Sequence, residues 1–188
     1  MSAMAPSPAM SKTSNGRVAL LVVLGTESVF FVTLLVAYGA LRGQVGWNVP
    51  HTLARLTVPL ANSAVLLGSA LMAWWAGEAI QQGDRRGLWL RLLVTLLLGL
   101  LFVAGQIYEF GHAGLHIDDE AFGGVFFTLL GSHAVHVLAG VVVLALNLAR
   151  AVAGDFTAEA HEAVTLGNWF WFYVSGVWIV LFVALYLV

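Results

Sequence analysis

The sequence contains no cysteine, and this absence excludes several kinds of chemistry. Disulfides, thiolate-ligated zinc, iron–sulfur clusters and copper sites built on thiolates all require cysteine. Any redox centre within this chain would therefore have to rest on its six histidines.

Charge is also scarce, because charged residues make up 10% of the chain and the formal net charge is −2. There is no basic cluster of the kind that binds nucleic acid or recognises an anionic lipid surface. Hydrophobic residues make up 60% of the chain and the mean hydropathy is +0.90, values far outside the range of soluble domains. The composition therefore predicts an integral membrane protein without a nucleic-acid partner.

Five apolar runs are each long enough to cross a bilayer, which takes about 20 residues. They are predicted at about 17–41, 58–80, 88–110, 122–149 and 166–188. The small, polar and proline-containing residues 1–16 predict a flexible N-terminal tail, and no cleaved signal sequence is expected. Residues 17–188 are therefore predicted to form one all-α domain, a bundle of five transmembrane helices with short connections.

The basic residues are divided unequally between the two ends of the predicted helices. Six of the eight lie on the side that holds the N-terminus: Lys12, Arg17, Arg85, Arg86, Arg91 and Arg150. Only Arg42 and Arg55 lie on the other side. Because loops rich in lysine and arginine stay in the cytoplasm, the N-terminus is predicted to be cytoplasmic and the C-terminus outside.

Glu27 is a carboxylate about ten residues inside the first apolar run. At ~1.5 Å per residue it would lie roughly 15 Å into a hydrocarbon core about 30 Å thick. Ionisable groups at such depth are rare and usually face a protein interior or a water-filled path. Glu27 is therefore predicted to have a partner inside the bundle.

His133 and His136 lie three residues apart in the fourth run, so they share one helical face. Eleven residues separate His133 from the predicted rim near residue 122, a depth of ~16 Å that matches that of Glu27. We therefore predict a buried polar cluster in which Glu27 bonds to His133 or to His136. This cluster could hold helices together, or it could also carry protons; the sequence leaves both roles open.

Metal binding is the less favoured interpretation of these histidines. Two histidines and a carboxylate could ligate iron or zinc, but a haem held from two helices is excluded because both mid-membrane histidines share one helix. His112 and His116, with the acidic run 118–120, could form an external site, although a solvated acidic loop is favoured. No metal site and no catalytic residue are therefore predicted in this chain.

Four further residues are candidates for contact with lipid or with another subunit. Glu109 closes the third run near the outer surface, where it could pair with a neighbouring chain or face water. Trp169 and Trp171 begin the fifth run, and a belt of aromatic side chains at the membrane surface explains them. Trp178 lies deeper and is predicted to pack against helices or lipid.

Four motifs in order resemble subunit III of the haem–copper oxidases, the family of cytochrome c oxidase and its quinol-oxidising relatives. TESVFF carries Glu27, PLANSAVLLGS begins at Pro59, and GQIYEF carries Glu109. The fourth run, FGGVFFTLLGSHAVHVLAG, carries both histidines and is the most specific match. The resemblance extends over nearly the whole chain after the tail.

The resemblance implies a non-redox subunit that has no cofactor of its own. Its expected partners are the catalytic subunit I, which would carry haem and copper, subunit II and phospholipids. The implied role is to stabilise subunit I, to bind lipid and to support proton uptake during aerobic electron transport. The expected location is a bacterial-type inner membrane, crossed several times, and a supercomplex with another respiratory enzyme is a further possible setting.

The chain departs from the family pattern in two ways. Longer members have seven helices with a lipid-filled cleft between the first two and the other five, and this chain has five runs, so the other two helices would be absent or supplied by a partner. In the last run, Phe172 and Ser175 replace the usual histidine and aspartate. This divergence keeps open an accessory subunit of nitric oxide reductase. An independent proton-coupled transporter and a purely structural, lipid-organising protein are further alternatives.

Overall fold

The structure is a computed structural model, and it describes residues 12–45, 56–112 and 120–187. Within these ranges every regular element is helical. The helices are α1 (Lys12–Val45), α2 (Thr57–Gln81), α3 (Arg85–His112), α4 (Glu120–Ala153) and α5 (Glu162–Phe182), and a π-helical turn (Val183–Leu187) continues α5. All five are long and apolar enough to cross a membrane. The predicted all-helical fold with five spans is confirmed, while the orientation of the termini stays a prediction.

The first helix begins earlier than its apolar run. α1 starts at Lys12, so residues 12–16 are helical although the sequence predicts a flexible tail there. Nothing in KTSNG prevents a helix, since the nearest proline before it is Pro8. The rest of the predicted tail, residues 1–11, lies outside the described residues.

Two helices end in the same way, with a glycine in a left-handed backbone conformation that other residues rarely adopt. Gly83 after α2 has φ 76°, and Gly154 after α4 has φ 83°. Around each glycine two backbone bonds close the helix, one to the carbonyl three residues back and one from the next residue to the carbonyl five residues back. These are Schellman motifs, and they require glycine because a Cβ is strained at positive φ. The first of them turns α2 directly into α3.

The core lies where α2, α3, α4 and α5 meet around Trp171. Its indole is fully buried, and its Nε1 donates a hydrogen bond to Ser69 Oγ at 3.0 Å. A Cβ on Gly140 would meet this ring at 2.7 Å, and one on Gly99 would meet it at 2.9 Å. Two glycines from α3 and α4 therefore make the space that one indole from α5 fills, as expected where membrane helices approach closely.

α1 is the peripheral helix of the bundle and packs mainly against α4 and α5. Among its described side chains only Phe31 and Tyr38 are buried. They lie seven residues apart, two helical turns, and so form one narrow inner stripe. Most of its remaining apolar surface is exposed, as at Val22, Val29 and Val36.

Candidate functional site

The candidate site is formed by α1 and α4 at the middle of both helices. Glu27 lies fifteen residues into α1, and His136 lies sixteen residues into α4. Glu27 Oε2 is 2.9 Å from His136 Nε2, so the carboxyl group bonds directly to the ring. The side chains are 32% and 17% exposed, respectively, so the pair lies at the edge of the bundle and not at its centre.

The contact made by the other ring nitrogen of His136 shows how many hydrogens this pair holds. His136 Nδ1 lies 2.7 Å from the carbonyl oxygen of Ser132, which can only accept, so Nδ1 carries a hydrogen. A second hydrogen must lie between Nε2 and Oε2 to make the bond to Glu27. The pair is then either a carboxylic acid with a neutral imidazole or a carboxylate with an imidazolium, and it is neutral overall in both forms.

His133 does not contact Glu27, although it shares a helical face with His136. Its side chain is 1% exposed and is stacked on Trp178, with ring centroids 5.4 Å apart and planes 29° from parallel. Phe102 meets its ring edge-on at 6.3 Å. Neither nitrogen of the His133 ring has a hydrogen-bond partner among the described residues. His133 is therefore packed as an aromatic residue, and only His136 is the partner of Glu27.

Phe31 lies between the two histidines. Its ring centroid is 5.1 Å from that of His136 and 6.5 Å from that of His133. Because it is 3% exposed, it closes the inner side of the Glu27–His136 pair against the core. The pair itself remains partly exposed.

An apolar groove between α1 and α5 begins beside this pair. Ser28 and Tyr173 line one end of it, with Ser28 Oγ 3.4 Å from the tyrosine hydroxyl, and the groove has a volume of about 320 Å³. A second groove of about 540 Å³ shares Leu35 and Val180 with the first and continues to Arg42. Together they follow the contact of α1 with α5 from the middle of the bundle toward the end of α1.

The described residues contain no group of three or more histidine, aspartate or glutamate side chains close enough to hold a metal ion. His116 and the acidic residues 118–119 of the proposed outer loop lie outside the described ranges. His112 ends α3, and its Nδ1 lies 2.8 Å from the carbonyl of Tyr108. The candidate site among the described residues is the acid–base pair of Glu27 and His136.

Glu109 is buried, and its carboxyl group has partners within this chain. It is 8% exposed, and its Oε1 accepts a hydrogen bond of 2.6 Å from the hydroxyl of Tyr186. Gln106 Nε2 donates to its other oxygen at 3.3 Å. The π-helical turn after α5 carries Tyr186, so a local change of helix type supplies the partner.

The three tryptophans of the last helix differ in exposure. Trp169 is 36% exposed and remains available to lipid or to a partner. Trp171 and Trp178 are fully buried inside this chain, and Trp178 packs against helices, one of the two alternatives predicted for it. Trp178 Nε1 donates to Ser63 Oγ at 2.8 Å, as Trp171 does to Ser69. A serine on α2 satisfies each indole, which lets the ring lie inside the bundle.

Three buried asparagines were not predicted as a group. Each donates its side-chain N–H to a backbone carbonyl of a neighbouring helix: Asn62 to Phe102 at 3.1 Å, Asn147 to Ala163 at 3.0 Å and Asn168 to Ala73 at 2.7 Å. A glycine faces each amide, namely Gly105, Gly167 and Gly77. Their signal in the sequence is an asparagine within an apolar run, where an amide needs a partner.

Comparison with known proteins places the chain in one family. The model of the family described as Cytochrome c oxidase subunit III matches residues 10–188. Proteins named "Cytochrome c oxidase subunit 3" are similar to the chain. That of Cyprinus carpio is 40% identical over 129 residues, covering 69% of this chain and 49% of that protein. That of Coturnix japonica is 32% identical over 178 residues, covering 90% of this chain and 68% of that protein.

The chain spans about half the length of several relatives that it matches, including that of Danio rerio, of which it covers 52%. The match of the family model nevertheless extends over almost the whole chain and includes α1 and α4 with the Glu27–His136 pair. This chain therefore belongs to the cytochrome c oxidase subunit III family.

Proposed function

We propose that this chain is the non-redox subunit III of a respiratory haem–copper oxidase of the cytochrome c oxidase type. In this role it packs beside the catalytic subunit I, which holds haem and copper, and assembles with subunit II. The host complex reduces oxygen to water and translocates protons, with electrons from cytochrome c or from quinol. The proposed location is a bacterial-type inner membrane, with the N-terminus in the cytoplasm.

One observation supports this proposal independently of the family match. A carboxyl group on α1, the peripheral helix, and an imidazole on α4 hold a shared hydrogen between Oε2 and Nε2, near the middle of both helices. Among the described residues, the polar contacts around the Trp171 core are made by asparagine and serine, which do not exchange protons at ordinary pH. The carboxyl group of Glu109 also bonds to another helical segment, but it is buried. A titratable pair that is open at the edge of the bundle is suited to pass protons to or from a neighbouring chain.

The continuous groove along α1 and α5 supports a role in binding phospholipid. It is lined almost wholly by apolar side chains from Phe31 to Val183, and Arg42 lies at its far end. An acyl chain in this groove would have its head group near a guanidinium. Lipid bound there would also lie beside the Glu27–His136 pair, because Ser28 and Phe31 line the groove.

The first test is to isolate the complex in mild detergent through a tag on this chain. Its visible spectrum and the masses of its subunits are then recorded. Haem absorption together with a large multi-helix partner is the expected result, and the partner's identity distinguishes oxygen reduction from nitric oxide reduction. A colourless and homogeneous preparation would contradict the proposal and favour an independent transporter.

The second test separates proton transfer from structural support by using Glu27→Gln. Glutamine keeps the shape of the side chain and can donate to His136 Nε2, but it cannot release a proton. We expect proton uptake and the lifetime of turnover to decrease in the assembled oxidase. The matched control is Glu159→Gln, which changes an exposed carboxylate in the loop between α4 and α5. Unchanged uptake and lifetime in Glu27→Gln would leave a structural role alone.

The relatives named above carry the oxidase name, so neither the nitric oxide reductase subunit nor the transporter is favoured. The packing also gives the transporter little support. The described parts of the five spans are continuous helices, apart from the π-helical turn at the end of the last one. Transporter sites typically use interrupted helices at the midplane, and the Glu27–His136 pair lies between uninterrupted helical segments.

A further inference from the structure

A small cavity lies between α2 and α5, apart from the grooves that follow α1. Its volume is about 120 Å³, and it is bordered by the last two turns of α2 and the first turns of α5. These helix ends lie on the side of the bundle that also holds the start of α1. The cavity is therefore near one surface of the membrane, on the side proposed to be cytoplasmic.

Aromatic rings form one part of the cavity wall. Trp74 on α2 is 52% exposed, Trp169 on α5 is 36% exposed, and Phe172 also lines the cavity. The faces of indole and phenyl rings carry partial negative charge, so they attract cations. Phe172 also replaces the histidine of the family pattern, and a phenyl ring never becomes positively charged. The aromatic part of the wall therefore favours a cation.

Glu78 gives the cavity a negative charge that no ion pair among the described residues neutralises. Arg85 and Arg86 follow closely in the sequence at the start of α3, but neither is paired with Glu78. Glu78 lies in the last turn of α2, which contains no basic residue. The carbonyl end of a helix adds partial negative charge to that of the carboxylate. The carboxylate and the helix end therefore both favour a cation from outside this chain.

We propose that this cavity receives the guanidinium group of an arginine from a neighbouring membrane chain in the complex. The group is planar, so it can stack on an indole face while its N–H groups donate to the Glu78 carboxylate. The hydroxyl of Thr165 and the amide oxygen of Gln81 line the same cavity and can accept its other hydrogens. The volume corresponds to roughly four water molecules at about 30 Å³ each, which suits this head group and excludes a bulkier one.

The position of the cavity also suits a side chain of a neighbouring protein. Lysine and arginine are concentrated on the cytoplasmic side of membrane proteins, so a neighbouring chain presents basic side chains at this height. Guanidinium is more weakly hydrated than ammonium and stacks on aromatic rings, so arginine is favoured over lysine. The inference rests on the proposed function only in requiring a neighbouring chain.

The first experiment uses the complex purified through a tag on this chain. The photoreactive residue p-benzoylphenylalanine replaces Trp169, and the peptides that it captures on irradiation are identified by mass spectrometry. The same residue at Leu97, which is 56% exposed on α3, is the control position. We expect position 169 to capture an arginine-containing segment of another membrane chain, and position 97 not to capture that segment. Capture of lipid alone, or of a segment without arginine, would overturn the proposal.

The second experiment measures how fast the captured chain dissociates from the complex in detergent. Glu78→Gln removes the charge and keeps the shape of the side chain, and Glu159→Gln in the exposed loop is again the control. Loss of one member of a buried charge pair acts mainly on the dissociation rate. We expect dissociation to be about tenfold faster in Glu78→Gln and unchanged in Glu159→Gln. Equal rates in the wild type and Glu78→Gln would overturn the proposal.

An exchange of the two charges gives the sharpest form of this test. Glu78→Arg is combined with glutamate at the captured arginine position, and the pair is expected to dissociate more slowly than either single variant. No such restoration would count against a direct contact. The haem content of the same preparations tests the oxidase assignment separately. A complex without haem that shows the arginine contact would refute the oxidase and leave this inference intact.

Discussion

α1 and the α2–α3 pair are both apolar helical segments, but they are held in the bundle by different means. α2 and α3 are joined by a three-residue turn and share the most extensive helix contact in the described structure. The side chain of Asn62 on α2 donates to a backbone carbonyl of α3, where Gly105 makes room for it. At least two helices lie between α1 and its neighbours α4 and α5 in the sequence. The contacts of α1 include the buried Phe31 and Tyr38, a weak bond from Ser28 to α5 and one acid–base pair.

This difference indicates that the helices packed around Trp171 serve as the scaffold, whereas α1 can respond to a change in protonation. Close helix packing in lipid depends on van der Waals contact and on interhelical hydrogen bonds, because the hydrophobic effect does not drive helices together there. The Trp171 region has both, and its polar atoms are satisfied by groups that do not titrate. α1 relies on a pair that holds a proton, so its attachment is coupled to protonation. The following predictions test this contrast.

The largest effect is expected at the centre of the scaffold, with Trp171→Ala. This change removes a fully buried ring and its bond to Ser69, so we expect a loss of about 3–5 kcal/mol in the free energy of unfolding. Unfolding by SDS in mixed micelles measures it. The control Val36→Ala on α1 is expected to change stability by less than about 0.5 kcal/mol, since Val36 is 66% exposed. Similar losses for both would refute the contrast.

The next effect is expected from one substitution made in both regions, glycine to alanine. Gly105→Ala would bring its Cβ to 2.8 Å from Asn62 Cγ, and we expect a loss of about 1–3 kcal/mol. Gly25→Ala on α1 meets no atom within 4 Å, and it is expected to be neutral or stabilising by up to ~1 kcal/mol.

The double variant Asn62→Ala, Gly105→Ala sharpens this test, because it removes the side chain with which the new Cβ clashes. We expect it to lose less stability than the sum of the two single variants, by about 0.5–3 kcal/mol in the same SDS titration. Additive losses would mean that Gly105 is required for a reason other than the approach of Asn62.

A smaller effect is expected from His136→Ala, which removes the partner of Glu27. Interhelical hydrogen bonds in membranes contribute about 0.6–2 kcal/mol, so α1 should loosen while the rest of the bundle remains folded. Because the chain has no cysteine, spin labels can be introduced at Val22 and Val142 alone. The distance distribution between them is expected to broaden, while that between labels at Leu67 and Leu97 on α2 and α3 stays unchanged. No broadening at α1 would show that the pair does not hold it.

The smallest effect is expected from Tyr186→Phe. It deletes the hydroxyl that donates to Glu109 and leaves the ring in place, so we expect a loss of about 0.5–1.5 kcal/mol. Tyr108→Phe on the exposed side of α3 is the matched control and is expected to be neutral, since Tyr108 is 56% exposed. Equal stability of the two variants would mean that Glu109 finds another donor.

The helices could be predicted from the sequence because lipid leaves the backbone few alternatives. Runs of about 20 apolar residues must satisfy their own backbone hydrogen bonds, and helices do so within the segment. The ends of the helices depend on local chemistry that hydropathy does not report. α1 thus continues back to Lys12, although its most apolar part begins later.

The choice between His133 and His136 could not be predicted, since residues three apart share a helical face. The packing of α5 decides it, because the ring of His133 is stacked on Trp178 and only His136 bonds to Glu27. The Glu109–Tyr186 contact could not be predicted from the sequence either, because local backbone geometry decides it. It depends on a π-helical turn, and nothing in the residues VALYL distinguishes such a turn from a regular helix.

The span of chain between Glu27 and His136 also sets an order of events during synthesis. The two residues are 109 positions apart, and α1 is made first. At ~5–20 residues per second, a ribosome needs roughly 5–20 s to add the intervening segment. For that time His136 is not available to the carboxyl group of α1, so the group must be neutral, hydrated or held by the insertion machinery. The peripheral position of α1 suits this delay, because α1 can join the bundle last, after α4 and α5 have formed the surface that receives it.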